Sequence, residues 1–194
     1  MEIKKASELD SNFKENISIL CVDSFYGNGG LKYISKDKLK LAKFFSSIIV
    51  YDNFYVAIKK NEIAGLIAFI NKENNCFIID KNICINIFGK IKGNFAFFAL
   101  VKNFTNYSKK FKTIIDNEMT IIETVLTNVK YREMGVATAL IEYVLSLKEY
   151  KHYLLAVTGS NKKALELYKK LGFIEINKKN LIFDSEIYMK YSKE

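Results

Sequence analysis

Apolar positions along this chain switch repeatedly between a helical and a strand period, and the switches mark out its elements. Residues 2–5 read as a short strand. After Asp10 and Ser11, both capping types, Phe13, Ile17, Leu20 and Cys21 recur at helical spacing through "NFKENISILCVDSFY". That pattern stops at "GNGG" (27–30), a strong helix breaker. Ser35 then stands as the cap of a second helix, "KDKLKLAKFFSSII". "FYVAIKK" (54–60) and "IAGLIAFI" (63–70) are β-rich runs joined at Asn61-Glu62, which predicts a hairpin. From about 80 to 111 the spacing is helical again, with Ile87, Phe88, Ile91, Phe95, Phe98 and Val101 on one stripe, although Gly89 and Gly93 fall within it.

The second half alternates more regularly. "MTIIETVLT" (119–127) predicts a strand, and 135–149 a helix with Val136, Ala139, Leu140, Tyr143, Val144 and Leu147 on one face. "YLLAVT" (153–158) is a strand, and 161–171 a helix closed by Gly172 just past its end. "FIEI" and "IFDSEIYMK" finish the chain as strands. No repeat, low-complexity segment or long linker interrupts the 194 residues, a length that suits one domain. The expected fold class is α/β (α+β), one mixed domain.

Composition narrows the classes without naming one. Apolar residues at 49% and charged residues at 26% fit a folded globular protein and exclude disorder. The formal charge of +9 raises nucleic acid as a partner. The excess is spread in short pairs such as Lys162-Lys163 and Lys178-Lys179, and Arg132 is the single arginine, so the reading disfavours nucleic acid and takes the charge mainly as a solubility feature. Cys21, Cys76 and Cys84 are odd in number, lack metal-type pairing and sit among apolar neighbours, which suits reduced thiols filling core space and a cytoplasmic protein with no metal. "MEIKKASELD" has no apolar run behind its lysines and does not read as a signal peptide. "GNFAFFALV" (93–101) is far shorter than the ~20 residues that span a bilayer, so no membrane is expected as a partner.

Two stretches carry chemistry. "KYREMGVATAL" (130–140) lies between a strand and a helix. The first amides of a helix lack intrahelical partners and sit at the positive end of its dipole, which suits phosphate oxygens. Gly135 allows close backbone approach, Ala137 and Thr138 leave room along the first turn, and Arg132 and the Thr138 hydroxyl add contacts. Taken alone, Gly135 fits equally a tight strand-to-helix turn with no ligand. The glycine spacings of a P-loop or a dinucleotide fingerprint are both missing. The second stretch, "NKKALELYKKLGFIEI" (161–176), is a capped helix with Ala164, Leu165, Tyr168 and Leu171 on one face, a glycine stop and a strand.

Together the two stretches resemble the GNAT superfamily of acetyl-CoA-dependent N-acetyltransferases. The signature Gln/Arg-x-x-Gly-x-Gly/Ala is met by Arg132, Gly135 and Ala137. A later pattern, Asn-x-x-Ala-x-x-Leu-Tyr with Gly-Phe four residues on, is met by Asn161, Ala164, Leu167, Tyr168, Gly172 and Phe173. The resemblance is strong over about 118–176 and looser upstream; about 80–111 looks like an insertion, and 1–50 would supply acceptor-side helices. The chain departs from the family where Val-x-Pro often precedes the arginine, having Thr127, Asn128 and Val129, and in placing Glu133 beside the expected pyrophosphate. A carboxylate facing phosphates would oppose them, so Glu133 is expected to point to solvent.

The resemblance implies a mostly antiparallel mixed sheet flanked by helices, with a V-shaped splay between the strands near 119–127 and 153–158. Acetyl-CoA would lie in the splay as co-substrate. Backbone groups of Val125, Leu126 and Thr127 would pair with its pantetheine arm, and Arg132, Glu133, Met134, Gly135, Val136, Ala137 and Thr138 would wrap its pyrophosphate. Tyr168 would protonate the departing thiolate, or is an aromatic on the helix's apolar face. Asn161 would bond the pantetheine, cap its helix, or both. Glu123 would take the proton of an amine acceptor, or sits on a solvated strand face. Asp23 and Tyr26, in "DSFYGNGG", are placed by position at the acceptor wall. The expected activity is acetyl transfer to a primary amine of a small molecule or peptide/protein by a monomer or homodimer. The alternative is a non-catalytic acetyl-CoA-binding sensor or scaffold.

Overall fold

The computed structural model describes residues 1–27, 30–71, 75–101 and 116–193. Positions 28 and 29 of the predicted helix breaker, and 102–111 of the predicted helical stretch, lie outside the described residues.

Seven strands, β1 (Glu2–Lys5), β2 (Phe54–Lys59), β3 (Glu62–Ile70), β4 (Met119–Thr127), β5 (His152–Thr158), β6 (Ile174–Asn180) and β7 (Ser185–Ser192), form one sheet in the order β1-β2-β3-β4-β5-β7-β6. Every neighbouring pair is antiparallel except β4 and β5. Among the described residues the α-helices are α1 (Ser11–Phe25), α2 (Leu31–Ile34), α3 (Lys38–Ile48), α4 (Lys81–Phe88), α5 (Lys90–Leu100), α6 (Val136–Ser146) and α7 (Lys162–Lys170). The α/β fold read from the sequence is the fold of the chain.

Each face of the sheet carries its own core. Leu66, Ala68, Ile70, Ile121 and Leu154 face α1, α3, α4 and α5. Ile67, Phe69, Ile122, Tyr153 and Leu155 alternate with them and face α6 and α7. The alternation in "IAGLIAFI" thus feeds two buried layers, which explains a run with no polar position inside it.

Some boundaries differ from expectation, for local reasons. The β2–β3 loop is Lys60-Asn61, with φ of 51° and 60°, because two left-handed residues match the twist of a two-residue hairpin. Asp37, not Ser35, caps α3: its carboxylate accepts the Lys40 amide at 3.0 Å, three residues on, while the Ser35 hydroxyl accepts the Asp37 amide. The stripe expected over 80–111 is broken at Gly89 into α4 and α5. α5 turns its small face, Gly93 and Ala96, inward against its neighbours and leaves Ile91, Phe95 and Phe98 largely exposed. Apolar spacing alone picked the larger side chains; close helix packing selected the smaller ones.

The end of α6 is held from the far end of the chain. The Lys193 ammonium donates to the carbonyls of Leu147 and Tyr150 and to the Tyr153 hydroxyl, satisfying acceptors a helix C-terminus leaves open. Lys193→Ala is expected to lower unfolding free energy by about 1–3 kcal/mol. Urea denaturation checks it, with the midpoint falling and the m-value unchanged.

Candidate active site

The parallel pairing of β4 with β5 is short. It runs from Met119↔His152 to Ile122↔Leu155 and stops. Beyond it β4 stays on β3 as far as Thr127↔Gly65, and β5 stays on β7 as far as Thr158↔Glu186. The two strands therefore part, and among the described residues no strand lies beside the far edge of β4 from Glu123 to Thr127. Asn128 bonds to β3, and so in the same parity does Leu126, which leaves the backbone groups of Val125 and Thr127 turned to the open side.

At the apex of this splay the β3–β4 ladder carries a bulge. Ala68 pairs with Thr124 and Phe69 with Ile122, so Glu123 is the extra residue. Its side chain is largely buried, and its Oε2 has no hydrogen-bond partner among the described residues. Burial raises the carboxyl from its ordinary 4.5 to about 7, against a smaller lowering by the adjacent Cys76 thiol. A carboxyl that titrates near neutrality at a strand apex is poised to exchange protons.

The mouth of the splay leads to the start of α6. Asn128 ends β4 by donating its backbone amide to the Ala64 carbonyl (2.9 Å) and its side chain to the Ile63 carbonyl (3.2 Å), while its side-chain oxygen accepts the Lys130 amide. The Tyr131 hydroxyl donates to Glu62 at 2.8 Å, and Lys130 pairs with the same carboxylate. These bonds tie the Val129–Tyr131 turn to β3.

Two left-handed residues follow, Glu133 (φ 63°) and Gly135 (φ 76°), and Gly135 is the N-cap of α6. A Cβ built on Gly135 meets nothing within 4 Å, so the space in front of the first helical amides is open. Val136 is buried beneath it against β3, where Gly65 leaves room: a Cβ there would lie 2.6 Å from the Leu126 carbonyl oxygen and 2.8 Å from Val136. Gly65 therefore sets how closely α6 approaches β3 and β4.

A cavity of about 560 Å³ occupies that space, lined by Thr127, Arg132, Glu133 and Gly135 to Thr138 on one side and by Asn161, Lys163, Ala164 and Leu167 on the other. Arg132 is exposed, and Met134 lies outside the lining with its sulfur near the Lys59 ammonium. Glu133 is exposed and paired with Lys163 at 2.6 Å. Lys163 was missed by sequence reasoning: one lysine among many gives no signal until α7 brings it to the cavity. Asn161 caps α7 by accepting the Ala164 amide at 3.3 Å.

Tyr168 does not line this cavity. It is 9% exposed in the second core, edge-on to Phe173, and burial pushes its phenol up to about 12. The turn after α7 explains the spacing of the motif. The Phe173 amide donates to the Tyr168 carbonyl and the Gly172 amide to the Lys169 carbonyl, which folds Phe173 back onto Tyr168.

Asp23 lines a second cavity of about 410 Å³, with Asn16, Ile19, Asn61, Asn128 and, shared with the first, Thr127 and Arg132. Its carboxylate is paired with Lys38 at 2.6 Å, and Lys38 also lies 5.2 Å over the Tyr26 ring. Tyr26 itself is not among the lining residues. The structure thus gathers Thr127, Arg132, Glu133, Gly135 to Thr138 and Asn161 around one mouth, leaves Met134 outside it, puts Glu123 at the apex, and leaves Asp23 and Tyr26 on the α1 side.

No curated protein matches the sequence. Solved structures match over the whole chain. An N-acetyltransferase from Staphylococcus aureus is 22% identical with a TM-score of 0.63, covering 98% of this chain and 100% of its own. A GNAT-family acetyltransferase from Bacillus cereus is 16% identical with a TM-score of 0.56, covering 100% and 97%. The NatC complex bound to Gag peptide and CoA matches at 14% identity and a TM-score of 0.53, over 100% of both chains. At these identities the likeness speaks for the fold. The sequence also matches the model of the acetyltransferase (GNAT) family over residues 36–173, most of its length, with the splayed strands and the α6 mouth inside that span. The chain belongs to the GNAT acetyltransferase family.

Proposed function

We propose that the protein transfers the acetyl group of acetyl-CoA to a primary amine of a small molecule or peptide/protein by direct attack. The observation that carries this reading is the unpaired edge of β4, running from a titratable carboxyl at its apex to an open helix N-terminus at its mouth. A thioester with a long arm and a pyrophosphate has the shape and charge of that path. In this reading 118–176 holds acetyl-CoA, 1–50 forms the acceptor wall with Asp23 and Tyr26, and about 80–111 is an insertion.

The cradle fits the group. Amides of Gly135 to Thr138, with Arg132 and Lys163, hold the pyrophosphate, and backbone of Val125 and Thr127 holds the pantetheine arm. Glu133 keeps its charge turned to Lys163. The amine nitrogen attacks the acetyl carbonyl carbon, and a β4 amide stabilises the oxyanion, a contribution of about 3 kcal/mol for one such donor. Glu123 takes a proton from the attacking nitrogen, directly or through water. The carbon–sulfur bond then breaks, and Tyr168, protonated throughout the neutral range, gives its proton to the thiolate.

The test is a thermal-shift titration with acetyl-CoA followed by thiol release over a panel of amines. The panel includes peptides with free N-termini, since one relative in fold was solved with a peptide. Acetyl-CoA at 100 times its dissociation constant should stabilise the fold by about 2.7 kcal/mol. No shift at saturation removes the cofactor reading; a shift without turnover on any amine favours a sensor. Tyr168→Phe is expected to lower kcat about 10- to 100-fold with acetyl-CoA affinity unchanged. Equal turnover in the variant would show that the thiolate leaves without this proton.

A further inference from the structure

We infer that the acceptor is a linear diamine. One amine is presented to Glu123 at the apex of the splay, while the second, still an ammonium, is held by the carboxylate of Glu186, which the Tyr188 hydroxyl orients. The inference rests on the acetyl-transfer reading proposed above.

The sheet register brings these groups to one face. On β4, Ile121 and Leu126 pack in the core on the α1 side, and Ile122 and Val125 in the core on the α6 side. Ile122 and Val125 are three residues apart yet share a face, because the bulge inserts a residue between them. Thr124 lies opposite Ala68 of the α1-side core, and Glu123, next after Ile122, turns to that side with it. On β5, Leu154 faces the α1 side and Leu155 the α6 side, so Ala156 and Thr158 lie on the α1 side. On β7, Tyr188 pairs with Ala156 and Glu186 with Thr158, and Tyr188 packs against the α1-side core. Ile187 and Met189, which alternate with them, are buried in the other core. Glu123 follows Ile122, where β4 leaves β5, and Ala156 follows its partner Leu155. One strand thus lies between Glu123 and Tyr188, a separation of at least about 10 Å from two strand spacings.

The Tyr188 hydroxyl donates to Oε2 of Glu186, two residues away on the same face. Burial, and after it the carboxylate, push the phenol up to about 12, so it stays a donor throughout the neutral range. That bond fixes one carboxylate oxygen and leaves Oε1 open to a ligand. Glu186 is half-buried, and although Lys179 of β6 stands opposite, no ion pair joins them among the described residues. Asp23, Glu62, Glu118 and Glu133, by contrast, are each closed by a lysine.

An acceptor must bring a nitrogen to Glu123. An oriented carboxylate one strand further on, with no cation of its own, fits a second positive charge on the same molecule. A diamine meets both groups, its apolar spacer lying over Ala156. A monoamine leaves Glu186 with nothing to hold.

The experiment follows thiol release with hexamethylenediamine, n-hexylamine and peptides with free N-termini at saturating acetyl-CoA, for the wild type, Glu186→Gln and Tyr188→Phe. Isothermal titration of hexamethylenediamine into the free protein reads binding without turnover, and hexylamine turnover reports that each variant is folded. The wild type should use the diamine with a kcat/KM at least about 10-fold that of the monoamine, the worth of one hydrogen bond to a charged group. Glu186→Gln should raise the KM and the dissociation constant of the diamine about 10-fold with kcat held, while its KM for hexylamine moves less than about two-fold. Tyr188→Phe should raise the diamine KM several-fold at unchanged kcat, a split that a packing role would not give. Equal use of the two amines by the wild type, better use of peptides, or a diamine KM unchanged in either variant overturns the inference and leaves acetyl transfer to amines standing. Thiol release with none of the acceptors removes the acetyl-transfer reading, and this inference with it.

Discussion

Replacing Gly135 with leucine is expected to abolish acetyl-CoA binding while the fold survives. Gly135 sits at φ 76°, a left-handed conformation that costs a residue with a Cβ about 1–2 kcal/mol. Apart from the adjoining chain, nothing lies within 4 Å of the position a Cβ would take, so backbone strain is the main cost to folding. In the proposed reading the same open space is where phosphate oxygens come to reach the amides of α6. A leucine side chain fills it, and a reoriented backbone also turns those amides away. Isothermal titration should show acetyl-CoA affinity falling at least about 100-fold, nearly 3 kcal/mol, with a Tm lowered by only several degrees. Arg132→Ala is the contrasting case. Arg132 is an exposed side chain at the rim, while the cradle is backbone, so affinity should fall only several-fold. Equal losses in the two variants would mean that charge, not the shape of the turn, holds the pyrophosphate.

The elements around this site were legible because their sequences are locally determined. The Tyr168…Gly172-Phe173 spacing is a helix-ending hydrogen-bond pattern confined to six residues, and Gly135 starts α6 by its own backbone conformation. The splay was legible only through family resemblance, since no local pattern says where two parallel strands stop pairing. What the sequence hid depends on distant pieces of chain. The bulge at Glu123 exists only in register with Ala68 and Phe69 of β3. Gly65 matters only once α6 lies on it. Of the apolar stripe read over 80–111, Phe88 is buried but the α5 part, Ile91, Phe95 and Phe98, is exposed for the same reason: which face of α5 is buried is settled by the helix it packs against, not by its own period.

Glu123→Gln should remove acetyl transfer and, at the same time, make the free protein more stable at neutral pH. Loss of a general base lowers kcat by about 10²- to 10⁴-fold, and acetyl-CoA affinity should not change, because the proposed pyrophosphate cradle lies beyond the end of β4, at the start of α6. In the wild type kcat/KM should rise with pH through the folded-state value of about 7, as the carboxyl loses its proton. The stability effect has a definite sign. An acid whose value is raised from 4.5 to about 7 binds its proton more tightly folded than unfolded. Folding is therefore unpenalised below 4.5 and loses stability as pH rises through that window, the full penalty being present above about 7. Glutamine carries no such charge. The variant should match the wild type near pH 4.5 and exceed it by on the order of 2 kcal/mol at pH 8, read from urea midpoints at the two values. A gain in stability joined to a loss of turnover marks a group kept in an unfavourable place for its chemistry. If the glutamine variant were instead less stable at pH 8 and still active, Glu123 would be a structural carboxylate and the proton would leave the amine by another route.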